Sequence, residues 1–242
     1  MLAHAAGTVL AVCVACDTEP PSAPPAQVDQ PSRNVPAGGN RVMGTGEGRM
    51  PQPFTLDQRL LDAVRRGDRA TIERALELGG TVAVKDDLGR STVLLATKDA
   101  GDLELIRWLH AKGAAIDEPD AGGRTALSFA AESGRLDIAR ALVEAGAAVD
   151  RPDGQGRTPL FHAAFGDHAE VVAFLLDRGA AVNVRDQFGD TPLIVACSKG
   201  HAATAALLLA RGADASLTDQ EGRTAKERSA PGTEPCLRRD PQ

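Results

Sequence analysis

A short sequence pattern recurs five times along the chain at an almost constant interval. Each copy has an aspartate, two variable residues, a glycine, one further residue and then a hydroxyl residue. The copies begin at Asp86, Asp120, Asp153, Asp186 and Asp219, which are 34, 33, 33 and 33 residues apart. The hydroxyl positions are Ser91, Thr125, Thr158, Thr191 and Thr224. A fixed period of this length predicts a stacked array of repeats, and such arrays usually present a recognition surface.

Each period predicts a turn followed by two short helices. An aspartate with a glycine three residues later fits a type I turn, and the following hydroxyl is a suitable N-cap because its oxygen accepts a helical N–H. Pro159 and Pro192 fit the first helical position, where a missing N–H does no harm. Glycines are expected to end the helices. They are Gly67, Gly101, Gly134 and Gly200 for the first helices, and Gly79, Gly113, Gly146, Gly179 and Gly212 for the second.

The period that begins with the third copy, at Asp153, carries the residues on which a family resemblance rests. It reads Gly156-Arg157-Thr158-Pro159-Leu160, then Ala163-Ala164, Val171-Val172, Leu175-Leu176 and Gly179-Ala180. This pattern resembles an ankyrin repeat, and the resemblance covers about residues 56–230. It implies an all-α ankyrin-repeat solenoid over residues 54–230, with about five helix–turn–helix repeats and a partial C-terminal cap.

Four positions depart from the repeat pattern. One residue is inserted near Asp99-Ala100, which accounts for the single period of 34 residues. Gln58 stands where the other repeats have the capping hydroxyl, and the polar segment Lys226-Glu227-Arg228 is expected to form a closing helix. Asp167 stands where glycine ends the first helix elsewhere, which predicts a strained turn and a stabilising effect of Asp167→Gly.

The N-terminal residues differ in composition from the repeats. Leu2 to Ala15 form an uncharged, apolar-biased run that is too short to span a bilayer as a helix, and Cys16 follows it. Residues 17–53 are rich in Pro, Ser, Gly and Gln and are expected to be a disordered linker. Residues 1–16 thus resemble a bacterial lipoprotein signal, which implies export, lipidation of Cys16 and anchoring on the periplasmic or extracellular side of a membrane. The alternatives are a lipid site at Cys13, or a misassigned start and a cytoplasmic protein.

Other chemistry is not indicated by the sequence: we expect no catalytic, cofactor or metal site. His168 and His201 occupy one column in adjacent repeats, and helices stacked about 8–10 Å apart keep them too distant to share one zinc ion. Both are therefore expected to be structural. Cys197 falls in an alanine column and is expected to be a buried thiol, whereas Cys236 lies in a tail, residues 231–242, that is expected to be disordered. The formal net charge of −6 gives no electrostatic footprint for nucleic acid.

The resemblance implies a non-catalytic monomer that binds a protein partner through its turn tips and the concave face of its first helices. The partner-binding residues expected on this basis are Leu88, Lys98, Glu132, Gln155, Phe165, Gln187, Phe188, Asp190 and Lys199. Phe165 and Phe188 are predicted to be exposed in adjacent positions and to form a hot spot. The alternative is that Phe188 folds under its own turn and Phe165 wedges into the gap beside Asp167. An exported adaptor is the function expected, with a soluble cytoplasmic inhibitor or scaffold, or an enzyme, as alternatives.

Overall fold

The computed structural model of the protein describes residues 55–230, and this range contains ten α-helices in five consecutive pairs. In chain order they are α1 Leu56–Arg66, α2 Arg69–Glu77, α3 Thr92–Leu95, α4 Leu103–Ala111, α5 Ala126–Glu132, α6 Leu136–Glu144, α7 Pro159–Phe165, α8 Ala169–Asp177, α9 Pro192–Lys199 and α10 Ala202–Ala210. The predictions of a signal segment, a linker and a tail concern residues that lie outside the described range.

The helices stack in two rows that share one hydrophobic core. The first helices α1, α3, α5, α7 and α9 pack on one another. The second helices form the other row, in which α4, α6, α8 and α10 pack in succession and Arg69 of α2 lies over the Trp108 ring of α4. The first helices contribute Leu60, Val93, Leu127, Leu160 and Leu193 to the core, and the second helices contribute Leu109, Leu142, Leu175 and Leu208, all at most 1% exposed. Equivalent positions of successive repeats therefore carry buried apolar side chains. Neighbouring repeats thus supply the apolar contacts that a single helix pair lacks.

The turns between repeats follow the aspartate pattern closely. Asp153 Oδ1 accepts the backbone N–H groups of Gln155 (2.9 Å) and Arg157 (3.0 Å), and the other four turn aspartates make the same two bonds. Backbone hydrogen bonds also join successive tips, for example from the Gln187 N–H to the Gln155 carbonyl at 2.8 Å. Residues 55–230 contain isolated β-bridges but no strand, as the sequence predicts.

The additional residue of the second repeat is absorbed inside its first helix. α3 continues into a π-helical turn, Ala96–Ala100, and Gly101 then ends the helix in the left-handed conformation. A π-helical turn holds one residue more than an α-helical turn, so it accommodates an insertion without breaking the helix. The insertion predicted near Asp99-Ala100 therefore lies where the sequence placed it.

The two ends of the array differ from the inner repeats. In the first repeat Gln58 occupies the hydroxyl column, as the sequence indicates, but α1 begins before it, and Thr55 caps the helix in a reciprocal capping box with that residue. The segment 226–228 forms a hydrogen-bonded turn, in which Glu227 accepts the Thr224 N–H at 2.7 Å, and not a closing helix. Pro231 follows in the sequence, and a proline disfavours the helical conformation in the residue before it.

Asp167 has a left-handed backbone, as predicted, but its side chain compensates for the strain. Its φ of 60° is the one positive φ of a non-glycine residue within 55–230, whereas Gly146 and Gly179 have φ values of 96° and 87°. The Asp167 Oδ1 accepts a hydrogen bond from the Thr204 hydroxyl at 2.7 Å, and Thr204 is fully buried. Removing the carboxylate would leave that buried hydroxyl without this acceptor.

This contact reverses the expected effect of Asp167→Gly. Relief of the left-handed strain is worth about 1 kcal/mol, but a hydrogen bond to a charged group contributes about 1.5–3 kcal/mol. We expect Asp167→Gly to lower the free energy of unfolding by about 1 kcal/mol, and Asp167→Asn, which keeps an acceptor and tolerates this conformation, to be nearly neutral. Urea denaturation measures both. A higher midpoint for Asp167→Gly would show that the strain outweighs the hydrogen bond.

Candidate partner-binding surface

The turn tips and the exposed ends of the first helices form one side of the array, which we call the groove surface. It comprises the five turns that begin at Asp86, Asp120, Asp153, Asp186 and Asp219, and the C-terminal ends of α5, α7, α9 and the π-helical turn. The hydrogen bonds between successive tips fix the spacing of the turns, and the capping aspartates fix their shape. Side chains at equivalent positions therefore project from a rigid scaffold at regular intervals.

Most of the predicted partner-binding residues are exposed on the groove surface. The apolar side chains are the most informative: Leu88 is 57% exposed, Phe165 40% and Phe188 55%. Lys98, Gln155, Gln187 and Lys199 are also exposed, whereas Glu132 and Asp190 are partly buried. These exposed fractions favour the interpretation in which both phenylalanine rings face solvent. The alternative was that Phe188 folds under its own turn and Phe165 packs into the gap beside Asp167.

Phe165 and Phe188 do not occupy adjacent positions, in contrast to the prediction. Phe165 is the last residue of α7, whereas Phe188 lies in the turn that precedes α9. Because α7 and α9 are equivalent helices of stacked repeats, Phe165 lies towards the C-terminal end of the first-helix row and Phe188 lies beyond its N-terminal end. An extended partner segment that contacts both must therefore run along the first helices.

Phe165 is partly screened by a cation from the next repeat. The Lys199 ammonium lies over the Phe165 ring, 4.4 Å from its centroid. Lys98 at the equivalent end of the second repeat pairs with Asp99 at 3.2 Å. Glu132 accepts a hydrogen bond from the Arg124 guanidinium, which also covers the Phe129 ring at 3.8 Å. The helix ends thus combine apolar surface with charges that are already partly neutralised.

His168 and His201 have the structural role that the sequence predicts. His168 Nε2 donates to the Glu132 carbonyl at 2.9 Å, and His201 Nε2 donates to the Phe165 carbonyl at 3.0 Å. Both acceptors lie at the C-terminal end of the preceding first helix, where carbonyl groups have no partner within the helix. Since a carbonyl can only accept, Nε2 carries the proton in each ring. Arg135 makes the equivalent contact with the Thr97 carbonyl in the repeat before.

A buried histidine that the sequence analysis missed lies beneath the third turn. His162 is 2% exposed, and its Nε2 donates to Asp153 Oδ2 at 3.1 Å. Burial, together with the nearby Arg124, lowers the pKa of His162. Burial alone would raise the pKa of Asp153, but hydrogen bonds from Arg157 and Gln155 outweigh it and hold that pKa below its usual value. The sequence did contain a signal for this buried histidine, because the equivalent positions of the other repeats are the apolar residues Leu95, Phe129 and Val195.

The lowered pKa of His162 predicts a loss of stability in mild acid. The unfolded chain takes up a proton at the ordinary histidine pKa of about 6.5, whereas the folded protein resists protonation to a lower pH. The free energy of unfolding should therefore fall as the pH drops below about 6.5. We expect His162→Phe to reduce this slope relative to the wild type. Urea denaturation at pH 7 and pH 5 measures both slopes, and an unchanged slope in His162→Phe would contradict the assignment.

Within residues 55–230, the structure shows no cluster of three or more His, Cys, Asp or Glu side chains that could hold a metal ion. No helix in the same range is long and apolar enough to cross a membrane. Cys197 is fully buried in α9, as its alanine column predicts. Cys13, Cys16 and Cys236 lie outside the described residues, so the lipidation prediction is not addressed by the fold.

Comparison with known proteins agrees with the helix pairs and turns described above. A family model for ankyrin repeats in three copies matches residues 60–153 and 149–219. No curated protein matches the chain. The two matched segments together cover more than half of the sequence, and they include all five helix pairs in whole or in part. The chain belongs to the ankyrin repeat family.

Proposed function

We propose that the protein binds a protein partner non-covalently through its groove surface. Ankyrin repeats generally mediate protein–protein interaction. The observation that carries the proposal here is the exposure of three large apolar side chains, Leu88, Phe165 and Phe188, on one side of the array. Nothing in the packing of the repeats requires an apolar residue at a turn tip, and exposed aromatic residues with a polar surround are typical of interaction hot spots.

Site-specific photocrosslinking in cells tests this proposal. A photoreactive amino acid at Gln187, which is exposed on the groove surface, should crosslink to a defined partner. The same amino acid at Glu73, which is exposed on α2 in the opposite row, serves as the control. Crosslinking from Gln187 but not from Glu73 supports the proposal. Equal products from both positions, or products from Glu73 alone, would place the interaction elsewhere on the protein.

We further propose that the repeats are exported and anchored to a membrane by a lipid on Cys16. The support is the order of an apolar-biased run, small residues, a cysteine and a polar segment rich in Pro, Ser and Gly. An anchor of this kind would make the protein a tethered adaptor, with the repeats held near the membrane surface.

Metabolic labelling with a radioactive fatty acid checks the anchor. The wild-type protein and Cys13→Ser should take up label, while Cys16→Ser should lose essentially all of it and leave the membrane fraction. Label that persists in Cys16→Ser and disappears in Cys13→Ser would move the lipid site to Cys13. Unlabelled wild-type protein in the soluble fraction would favour a cytoplasmic inhibitor or scaffold.

A further inference from the structure

The fourth turn lacks an arginine that three of the other turns bond to their own aspartate. In three turns an arginine Nε–H donates to Oδ2 of the turn aspartate: Arg90 to Asp86 (2.8 Å), Arg157 to Asp153 (2.9 Å) and Arg223 to Asp219 (3.0 Å). Arg124 of the second turn bonds to Glu132 instead. In the fourth turn the same position is Asp190, so Asp186 keeps its two backbone hydrogen bonds but has no arginine partner among residues 55–230.

The same turn carries an aromatic ring without a cation. Within the described residues, four other rings each have a lysine or arginine over them at 3.8–4.9 Å from the centroid: Trp108, Phe129, Phe165 and Phe174. No lysine or arginine of residues 55–230 lies over the Phe188 ring, which is 55% exposed. The cation in the same turn, Arg185, donates to the Gly189 and Thr218 carbonyl oxygens.

The charges around Phe188 favour a positively charged occupant. Phe188 and Asp190 line a cleft of about 360 Å³ together with Asp219, Glu221, Arg223 and Arg228. Both arginines already have carboxylate partners within the cleft. Each donates to Asp219 Oδ2, and Arg223 also pairs with Glu221 at 2.7 Å. Arg228 also donates to Asp190 Oδ1, at a longer distance of 3.4 Å. Burial raises the pKa of Asp190; the nearby Arg228 offsets part of this rise, and the carboxylates of Asp186 and Asp219 add to it.

We propose that the groove surface binds a partner protein by an arginine side chain, whose guanidinium lies over the Phe188 ring and pairs with Asp186 and Asp190. The partner thereby supplies the guanidinium that three of the other turns carry themselves. Arginine fits better than lysine because its flat guanidinium stacks on an aromatic face and forms paired hydrogen bonds with carboxylates. This inference rests on the proposed function, and it names the side chain that the Phe188 turn recognises.

A titration of the full-length protein with a short arginine peptide tests the inference. The probe is acetyl-Gly-Arg-Leu-Gly-amide, and the control is the same peptide with citrulline, which has nearly the same shape without the charge. Amide shifts are followed by NMR. We expect saturable shifts centred on residues 186–190, with at least about threefold tighter binding of the arginine peptide. Phe188→Leu and Asp186→Asn should each weaken that binding by about threefold or more.

Leu78→Ala is the control, because Leu78 is 62% exposed but follows α2 and lies away from the groove surface. We expect this variant to bind the arginine peptide as the wild type does. Equal binding of the citrulline peptide, shifts centred elsewhere, or unchanged binding by Phe188→Leu would overturn the inference. If Arg238→Gln with Arg239→Gln moves the Phe188 signals without any peptide, the occupant is the chain's own tail, and the partner assignment is overturned.

The two proposals fail in different experiments. Loss of the arginine preference, with crosslinking from Gln187 retained, would refute the recognised side chain while leaving the groove surface as the binding site. Absence of crosslinking from Gln187 together with crosslinking from Glu73 would refute the groove surface itself.

Discussion

Replacing Phe165 and Phe188 together by alanine is expected to weaken partner binding by about 2 kcal/mol or more, because exposed aromatic anchors carry a large share of interface energy. The melting temperature should change little, since the two rings are 40% and 55% exposed and Phe188 lies in a turn outside the core. Phe188→Ala alone should account for the larger part, because Lys199 already covers one face of Phe165. Measuring the melting temperature and the partner affinity on the same variants separates binding from stability.

Leu78→Ala provides the control for this double substitution. Leu78 is 62% exposed, but it follows α2 in the second-helix row and lies away from the groove surface. Its removal should leave partner affinity unchanged. That result would show that the loss of exposed apolar area does not by itself weaken partner binding. A large fall in melting temperature of Phe165→Ala with Phe188→Ala, with affinity per folded molecule intact, would instead mean that the two rings stabilise the fold.

The sequence predicted the helix pairs because both signals that define them are local. Hydroxyl N-caps and terminal glycines act within one turn of a helix, so their positions bound the helices without knowledge of the packing. The predicted glycine ends at Gly67, Gly101, Gly134 and Gly200 all have positive φ. The 33-residue period then places equivalent helices in one row, since each repeat has to bury its apolar face against the next.

The contacts that the sequence did not supply lie between repeats or along the stack. The prediction that Asp167→Gly stabilises the protein did not take account of Thr204, which lies in the next repeat at a distance that no spacing rule gives. Phe165 ends α7, whereas Phe188 precedes the N-terminal end of α9. Aligning the repeats by sequence does not show that the two residues lie towards opposite ends of the first helices. The fourth turn shows the same limit. The sequence places an aspartate at position 190, but only the structure shows that, among residues 55–230, no arginine donates to Asp186 and no cation lies over the Phe188 ring, while Arg228 bonds to Asp190.

Asp153→Ala is expected to have the largest effect on stability, because Asp153 joins a turn to the core beneath it. The residue is 6% exposed, and its Oδ2 accepts hydrogen bonds from the Arg157 side chain at 2.9 Å and from His162 at 3.1 Å. Its Oδ1 accepts two backbone N–H groups. Removing the carboxylate leaves a buried imidazole and a half-buried guanidinium without their acceptor, which we expect to cost about 3 kcal/mol of unfolding free energy.

Asp120→Ala is the matched control for the Asp153 network. Asp120 makes the same two backbone hydrogen bonds, at 2.9 Å each, but neither a histidine nor the turn arginine donates to its side chain. Its loss should therefore cost only about 1 kcal/mol, the value of a turn-capping interaction. Urea denaturation at pH 7 measures both variants. Equal losses would show that the backbone caps dominate, and the buried His162–Asp153–Arg157 network would then contribute little beyond the geometry shared by every turn.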